Sequence, residues 1–207
     1  MAYLSLILFV IATCGTPGPN NNMVMSSGVS HGFRRSIPHV VGINIGFPVM
    51  VIAIGLGLDG ILKDYPVIYD VLRPVGAAYL LYLAYRIAVS PVGEQKAAEA
   101  KPLTILQSAL FQWVNPKSWV MAVGAVTTYA TGTGGDAVRN IIAVSVIFLV
   151  FGTPCTVSWL AIGVALKRVL SKPLQFRIFN VAMAVLLVLS LIPVIGEIIA
   201  GLQKIAS

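Results

Sequence analysis

Long apolar runs separated by short polar stretches divide the chain into six segments, and the runs are interrupted in a recurring order. The first spans about Tyr3 to Gly28, apolar from Leu4 to Ala12 and again from Met23 to Val29. Between these parts lies Thr16-Pro17-Gly18-Pro19-Asn20-Asn21-Asn22. Two prolines there remove backbone donors, Gly18 adds freedom, and three asparagines bring amides to a depth where hydrocarbon offers no partner. Ordinary helix cannot run through such a stretch. A polar loop, Ser30 to Ser36, then leads into segment two, about Pro38 to Leu58. That segment carries Gly42 and Gly46 at the spacing that lets helices approach closely, followed by Pro48 and an expected kink. Segment three runs from about Val71 to Ser90, segment four from Leu103 to Ala130, segment five from Ile141 to Leu166 and segment six from Ile178 to Ile199.

The interruptions repeat. Segment four is broken at Phe111-Gln112-Trp113-Val114-Asn115-Pro116-Lys117, as segment one is at Pro19-Asn20. Gly46-Phe47-Pro48 in segment two returns as Gly152-Thr153-Pro154 in segment five. The chain therefore reads as residues 1–90, a first three-helix repeat; 91–102, a cytoplasmic linker; and 103–207, a second three-helix repeat. Because each repeat has an odd number of spans, the two lie in opposite senses across a bilayer. This is the inverted-repeat architecture of many secondary carriers. The expected fold is an all-α integral membrane protein of six transmembrane helices, an inverted three-plus-three repeat with helices one and four broken.

Composition agrees with this setting. With 57% hydrophobic and 10% charged residues among 207 and a mean hydropathy of +0.90, a soluble globular domain is excluded. A pI near 9.7 could suggest nucleic acid, but the basic residues fall in loops and report topology instead. Loops one, three and five hold nine of them, Arg34, Arg35, Arg86, Lys96, Lys101, Lys167, Arg168, Lys172 and Arg177, against Lys63, Arg73, Arg139 and Lys204 on the other side. The positive-inside rule makes the richer side cytoplasmic and puts both termini outside. No Lys or Arg precedes Arg34, so the charged start of a signal peptide is missing and the first segment is expected to be retained.

Pro19 and Pro116 suit the first turn of a new helix, and Asn115 is a good N-cap, so each break restarts a helix near the bilayer centre. Two helix N-termini converging there suit a carboxylate. Lys117 adds a charge that costs about 2.5 to 3.5 kcal/mol to insert at mid-membrane and calls for a partner. The seven carboxylates, Asp59, Asp64, Asp70, Glu94, Glu99, Asp136 and Glu197, all fall in loops or near segment ends. Either Lys117, with Gln112, Asn115 and Asn20 to Asn22, holds the carboxylate of a small zwitterion, or it donates to carbonyls freed by Pro116. Pro17, Gly18, Pro19 and Pro116 complete the candidate binding set at the breaks, with Asn44 and Thr153 on segments two and five. Thr156 and Ser158 flank the segment-five break, and interhelical hydrogen bonding explains such residues as readily as solute contact. His39 opens segment two and either hydrogen-bonds at the interface or titrates during a cycle. Cys14 and Cys155 read as small buried hydrophobes, with no metal site or cofactor implied. Trp113 and Trp119 read as packing residues, Trp113 also as a candidate cavity wall.

Several of these stretches together resemble the LysE/RhtB family of amino-acid exporters. They are Thr16-Pro17-Gly18-Pro19-Asn20-Asn21, Ser26-Ser27-Gly28 with Gly32-Phe33-Arg34-Arg35, Gly42 with Gly46-Phe47, Gly76-Ala77-Ala78-Tyr79-Leu80, and Phe111 to Lys117. The resemblance implies a bacterial inner-membrane exporter of amino acids or derivatives, driven by a proton gradient. Within the family, Ser30-His31-Gly32-Phe33-Arg34 and Ala84-Tyr85-Arg86-Ile87-Ala88 look most like the cysteine and O-acetylserine exporters. Many members carry an acidic residue where Phe47 stands, which argues here for a neutral amino acid over lysine or arginine and leaves the proton without an evident carrier. A passive channel lined by the same polar breaks is the alternative. An intramembrane enzyme would need a clustered acid, base or nucleophile, which mid-membrane positions do not supply. The expected partners are an amino acid, the bilayer and a proton, without nucleic acid. The Gly42 and Gly46 stripe serves internal packing or a homo-oligomer contact equally well.

Overall fold

The computed structural model describes residues 3–58, 66–89, 102–130, 134–170, 172–189, 191–192 and 195–196. The expected linker lies outside them apart from Pro102, as do Asp59, Asp64, Glu94, Glu99 and Glu197. The described residues form helices α1 (Tyr3–Gly15), α2 (Pro19–Ala53), α3 (Pro66–Ala88), α4 (Ile105–Phe111), α5 (Pro116–Tyr129), α6 (Gly134–Val169) and α7 (Pro173–Leu189). A π turn, Ile54–Leu58, extends α2, and a 3-10 turn, Gln112–Val114, follows α4. Among the described residues there is no strand.

The polar loop expected between segments one and two is not a loop. Helix runs up to it and away from it on either side, and the chain reverses at one residue, Gly32, with φ 76° and ψ 179°. That backbone region is essentially closed to residues with a Cβ. The proof of reversal is the hydroxyl contact between Ser27 and Ser36, 2.8 Å apart. Nine residues of straight helix would separate them by about 13 Å. α2 is therefore a hairpin of two limbs, residues 19–31 and 33–53. Ser36 Oγ also donates to Gly32 O at 2.9 Å, tying the turn to the second limb.

Helices elsewhere start earlier than the apolar runs suggest. α6 begins at Gly134, ahead of Ile141, and α7 at Pro173, ahead of Ile178, because polar first turns precede the apolar stretch. Helix is continuous through Pro48 and through Pro154, so segment five has no break at its Gly-x-Pro. Thr104 closes a capping box with Gln107 at the head of α4, which fixes that start.

Apolar side chains divide between interior and exterior. Leu6 and Val10 of α1, Phe47, Met50 and Val51 of α2, Met121, Ala122 and Ala125 of α5 and Val144 and Phe148 of α6 form the largest buried cluster. A second joins Leu80, Leu83 and Ala84 of α3 to Ala184 and Leu187 of α7. Outside, Leu4, Leu8, Leu106, Val120, Val150 and Leu174 stand exposed. Two stretches, Pro19–Gly57 and Gly135–Val169, are long and apolar enough to cross a membrane, although the first is folded back at Gly32. Its second limb, at about 31 Å, matches the hydrocarbon thickness on its own. An all-helical chain with so much apolar surface turned outward is a membrane protein.

Glycines bring the backbones together. A Cβ on Gly42 would stand 2.4 Å from Ile105 O, and one on Gly46 2.5 Å from Ala109 Cα. The stripe on the second limb thus receives α4, inside the chain. A Cβ on Gly28 would likewise stand 2.7 Å from Leu160 O, and one on Gly163 would collide with Met25 O, so the first limb lies close against α6. Replacing Gly163 with Ala forces these backbones apart and is expected to cost about 1–3 kcal/mol. Gly124 has nothing within 4 Å, so Gly124→Ala is expected to be neutral or mildly stabilising. Thermal unfolding in detergent separates the two; equal melting temperatures would contradict this packing.

Candidate functional site

The two breaks meet, and each supplies the polar partners the other lacks. Gly18 precedes α2 with φ 179°, an extended conformation open to any residue, and Pro19 takes the first turn. Asn115 caps α5, its side chain accepting from Lys117 N at 3.1 Å, with Pro116 next. Asn20 and Lys117 thus occupy equivalent places, each directly after the first-turn proline. Each reaches into the opposite break.

Asn20 Nδ2 donates to Gln112 Oε1 at 2.8 Å, and Gln112 Nε2 returns a bond to Asn20 Oδ1 at 3.2 Å. Gln112 is wholly buried, also donating to Ser108 O and accepting from Ser118 Oγ at 3.0 Å. Lys117 Nζ donates to Thr16 O at 2.8 Å, Thr16 Oγ1 at 2.9 Å and Pro17 O at 3.2 Å. The carbonyls it serves therefore belong to the first break, whereas the alternative to solute binding gave it those freed by Pro116. They lie just past the C-terminal end of α1, where a cation is favoured. Asn21 Nδ2 completes the arrangement by donating to Cys14 O and Thr16 O, both at 2.8 Å.

Gly18 is needed for space. A Cβ there would fall 2.7 Å from Lys117 Cδ and 3.1 Å from Nζ, so the lysine stem lies directly over the glycine. No side chain caps the first turn of α2, which leaves its amides for other partners.

Beside this junction lies a cavity of about 50 Å³, room for about four waters. Its polar side comprises Thr13, Gly18, Asn20, Asn21, Asn115, Lys117 and Ser118. Its apolar lining is Ile43, Phe47, Met121 and Phe148, the two phenyl rings packed edge-on with centroids 4.8 Å apart. Asn44 and Pro48 border it from α2. Pro48 has no N–H to give Asn44 O, which is left without its helical donor. The Asn44 amide donates to Val40 O at 3.0 Å and accepts from Thr156 Oγ1 at 3.4 Å.

Of the candidate residues, Gly18, Asn20, Asn21, Asn44, Asn115 and Lys117 border the cavity. Pro17, Pro19, Asn22, Gln112, Pro116 and Thr153 do not. Asn22 is buried, and Gln112 sits behind Asn20. On α6 the cavity-facing residues are Phe148, Gly152 and Thr156, each one turn from the next. Thr153, about 100° round from Gly152, bonds back to Leu149 O. The i, i+4 step from Gly152 is the signal that selects Thr156. Ser118 and Cys14 border the cavity too, Cys14 half-buried with its Sγ 3.4 Å from where a Gly152 Cβ would stand. Trp113 and Trp119 pack on each other at 6.2 Å, with Trp119 Nε1 donating to Trp113 O, and neither lines the cavity.

A family model described as LysE type translocator matches residues 11–190. The chain is also similar to the cysteine/O-acetylserine efflux proteins of Escherichia coli (strain K12), Shigella flexneri and Salmonella typhi. Each is 34% identical over 181 residues, covering 87% of this chain and 90% of the relative. No solved structure matches. Both breaks and the whole cavity lining fall inside the matched residues, and the chain belongs to the LysE type translocator family.

Proposed function

We propose that the protein is a secondary carrier that exports a small neutral amino acid or derivative from the bacterial cytoplasm, coupled to the proton gradient. The observation that carries the reading is the cavity at the crossed breaks, lined by polar groups of both breaks and by two phenyl rings. The solute's carboxylate is held by Lys117 and the uncapped first turn of α2, both favourable to an anion. Its ammonium is held by Asn44 O, freed by Pro48, with Thr13 and Thr156 hydroxyls nearby. Phe47 and Phe148 wall in the side chain. The lining holds no carboxylate to pair with a second positive charge, and the volume favours a short side chain. The efflux proteins of similar sequence, named for cysteine and O-acetylserine, support a solute of this kind.

The architecture proposed is six spans in two inverted repeats, residues 1–90 and 103–207, joined by the linker at 91–102, with both termini outside. Spans one and four are α1 with the first limb of α2, and α4 with α5. The reciprocal reach of Asn20 and Lys117 supports it, as does the pairing of α2 with α6 and of α3 with α7. Alternating access then moves one repeat against the other around the cavity.

The test is efflux from proteoliposomes loaded in parallel with labelled cysteine, O-acetylserine, threonine, leucine and lysine, with and without an uncoupler. Saturable, uncoupler-sensitive efflux of a neutral amino acid, with lysine retained, is expected. Equal loss of lysine would overturn the role given to Phe47, and unsaturable leakage of all five would favour a channel.

Lys117→Met is expected to abolish efflux with a stability loss of about 1–3 kcal/mol, since the oxygens it leaves at Thr16 and Pro17 lose their donor. Full transport by a folded Lys117→Met protein would remove the residue from the site. Gly18→Ala keeps the backbone and displaces the lysine stem. It should raise KM by about tenfold, near 1.4 kcal/mol, with an unchanged melting temperature, and an unaltered KM would show that Lys117 position is immaterial.

A further inference from the structure

The chain contains two histidines, and the reversal at Gly32 brings them together. His31 ends the first limb, and His39 lies two turns into the second, close enough for the two to interact electrostatically. His39 is 2% exposed, and neither Nδ1 nor Nε2 has a hydrogen-bond partner. It therefore makes none of the interface hydrogen bonds that its place in the sequence suggests. Ser26 Oγ on the first limb is also buried and unpartnered. Between them Ser27 and Ser36 share their bond across the hairpin. Buried polar groups are nearly always satisfied, and an imidazole carries two hydrogen-bonding nitrogens. An ionisable side chain idle at both nitrogens inside a membrane hairpin is a functional group by default.

Its position is the second observation. His39, Ile43 and Phe47 follow one another at single-turn steps along one face of the second limb, and Ile43 and Phe47 line the cavity. His39 is thus about 6 Å along the axis from Ile43, between the cavity and the turn that exposes Arg34 and Arg35. Among the described residues the titratable group facing it is His31. α6 packs on this part of α2 through Leu160 and Val164, and its first charges, Lys167 and Arg168, are exposed beyond. α4, packed on Gly42 and Gly46, has no titratable side chain. On α7, Arg177 is exposed, and on α5, Lys117 is held at the first break.

We propose that His39 is the protonation site that couples solute movement to the proton gradient, with His31 passing the proton between it and the aqueous face. The inference rests on the carrier reading above. In each cycle the His39 imidazole gains one proton when open to the acidic side and gives it up on the other. No other bond is made or broken.

The test uses the purified full chain in proteoliposomes and two assays of one labelled neutral amino acid. Counterflow at equal pH needs binding and alternation without net proton movement; accumulation driven by a pH difference needs coupling. His39→Gln, an amide that cannot titrate, is expected to keep counterflow and lose accumulation. His31→Gln is expected to keep both and slow the approach to the final level. His39→Asn is the second variant. Accumulation by either His39 variant at the wild-type level would overturn the proposal, as would wild-type counterflow without any accumulation. Loss of counterflow in both amide variants would make His39 a packing residue and overturn it equally. Absence of wild-type counterflow for every neutral amino acid would instead be the failure of the carrier reading.

Discussion

Backbone groups at membrane depth have no water to bond, so a chain that breaks a helix there must answer each freed carbonyl and amide from within the protein. Here the answer is reciprocal. Lys117 and Asn21 serve the oxygens around Thr16, and Gln112 is met by Asn20 and Ser118. Neither break is self-sufficient, and so the two halves of the chain are bound at the point where both are weakest. The geometry also leaves a cavity beside the junction, because helix ends held apart by crossing side chains cannot close over one another. Gly18 belongs to the same constraint, being the floor on which the lysine stem rests.

The hairpin in α2 joins its two limbs with almost no intervening loop. A one-residue reversal at Gly32 keeps helical hydrogen bonding on both sides of the turn. Two hydroxyls, Ser27 and Ser36, then satisfy each other between the limbs. Once the limbs lie antiparallel side by side, α6 packs on the first through Gly28 and Gly163 and on the second through Leu160 against Val40 and Ile43. Close backbone approach, rather than large interlocking side chains, is what carries this interface.

Much of this was legible in the residues. Pro19, Pro116 and the Asn115 cap announce two restarted helices by their own chemistry, and the structure has both starts. The glycine pair at Gly42 and Gly46 announces close packing without naming the partner; α4 supplies it. Local chemistry misleads where a long-range partner decides. Seven polar-leaning residues from Ser30 to Ser36 look like a loop until a fold lets Ser27 meet Ser36. Lys117 looks like a residue repairing its own break until Thr16, far away in sequence, is brought beside it. Thr153 and Thr156 are equivalent as letters, and only the direction of α6 separates them.

The same distinction bears on the cavity's two sides. Its polar wall is made of residues already engaged with one another: Asn20 with Gln112, Asn44 with Thr156, Lys117 with the first break. A carboxylate entering there gains only the difference between its own bonds and those it displaces, and in that exchange an ion pair with Lys117 is stronger than neutral bonds to Thr16 and Pro17. Displacing Lys117 from Thr16 would also release one of the ties between the two breaks, leaving the Asn20–Gln112 pair in place. In the proposed carrier, solute binding and loosening of the junction would therefore be linked through one nitrogen, and a ligand that binds the loosened arrangement better shifts the chain toward it. In the same proposal the Phe47 and Phe148 rings select the side chain, while the polar lining takes the head group common to all amino acids.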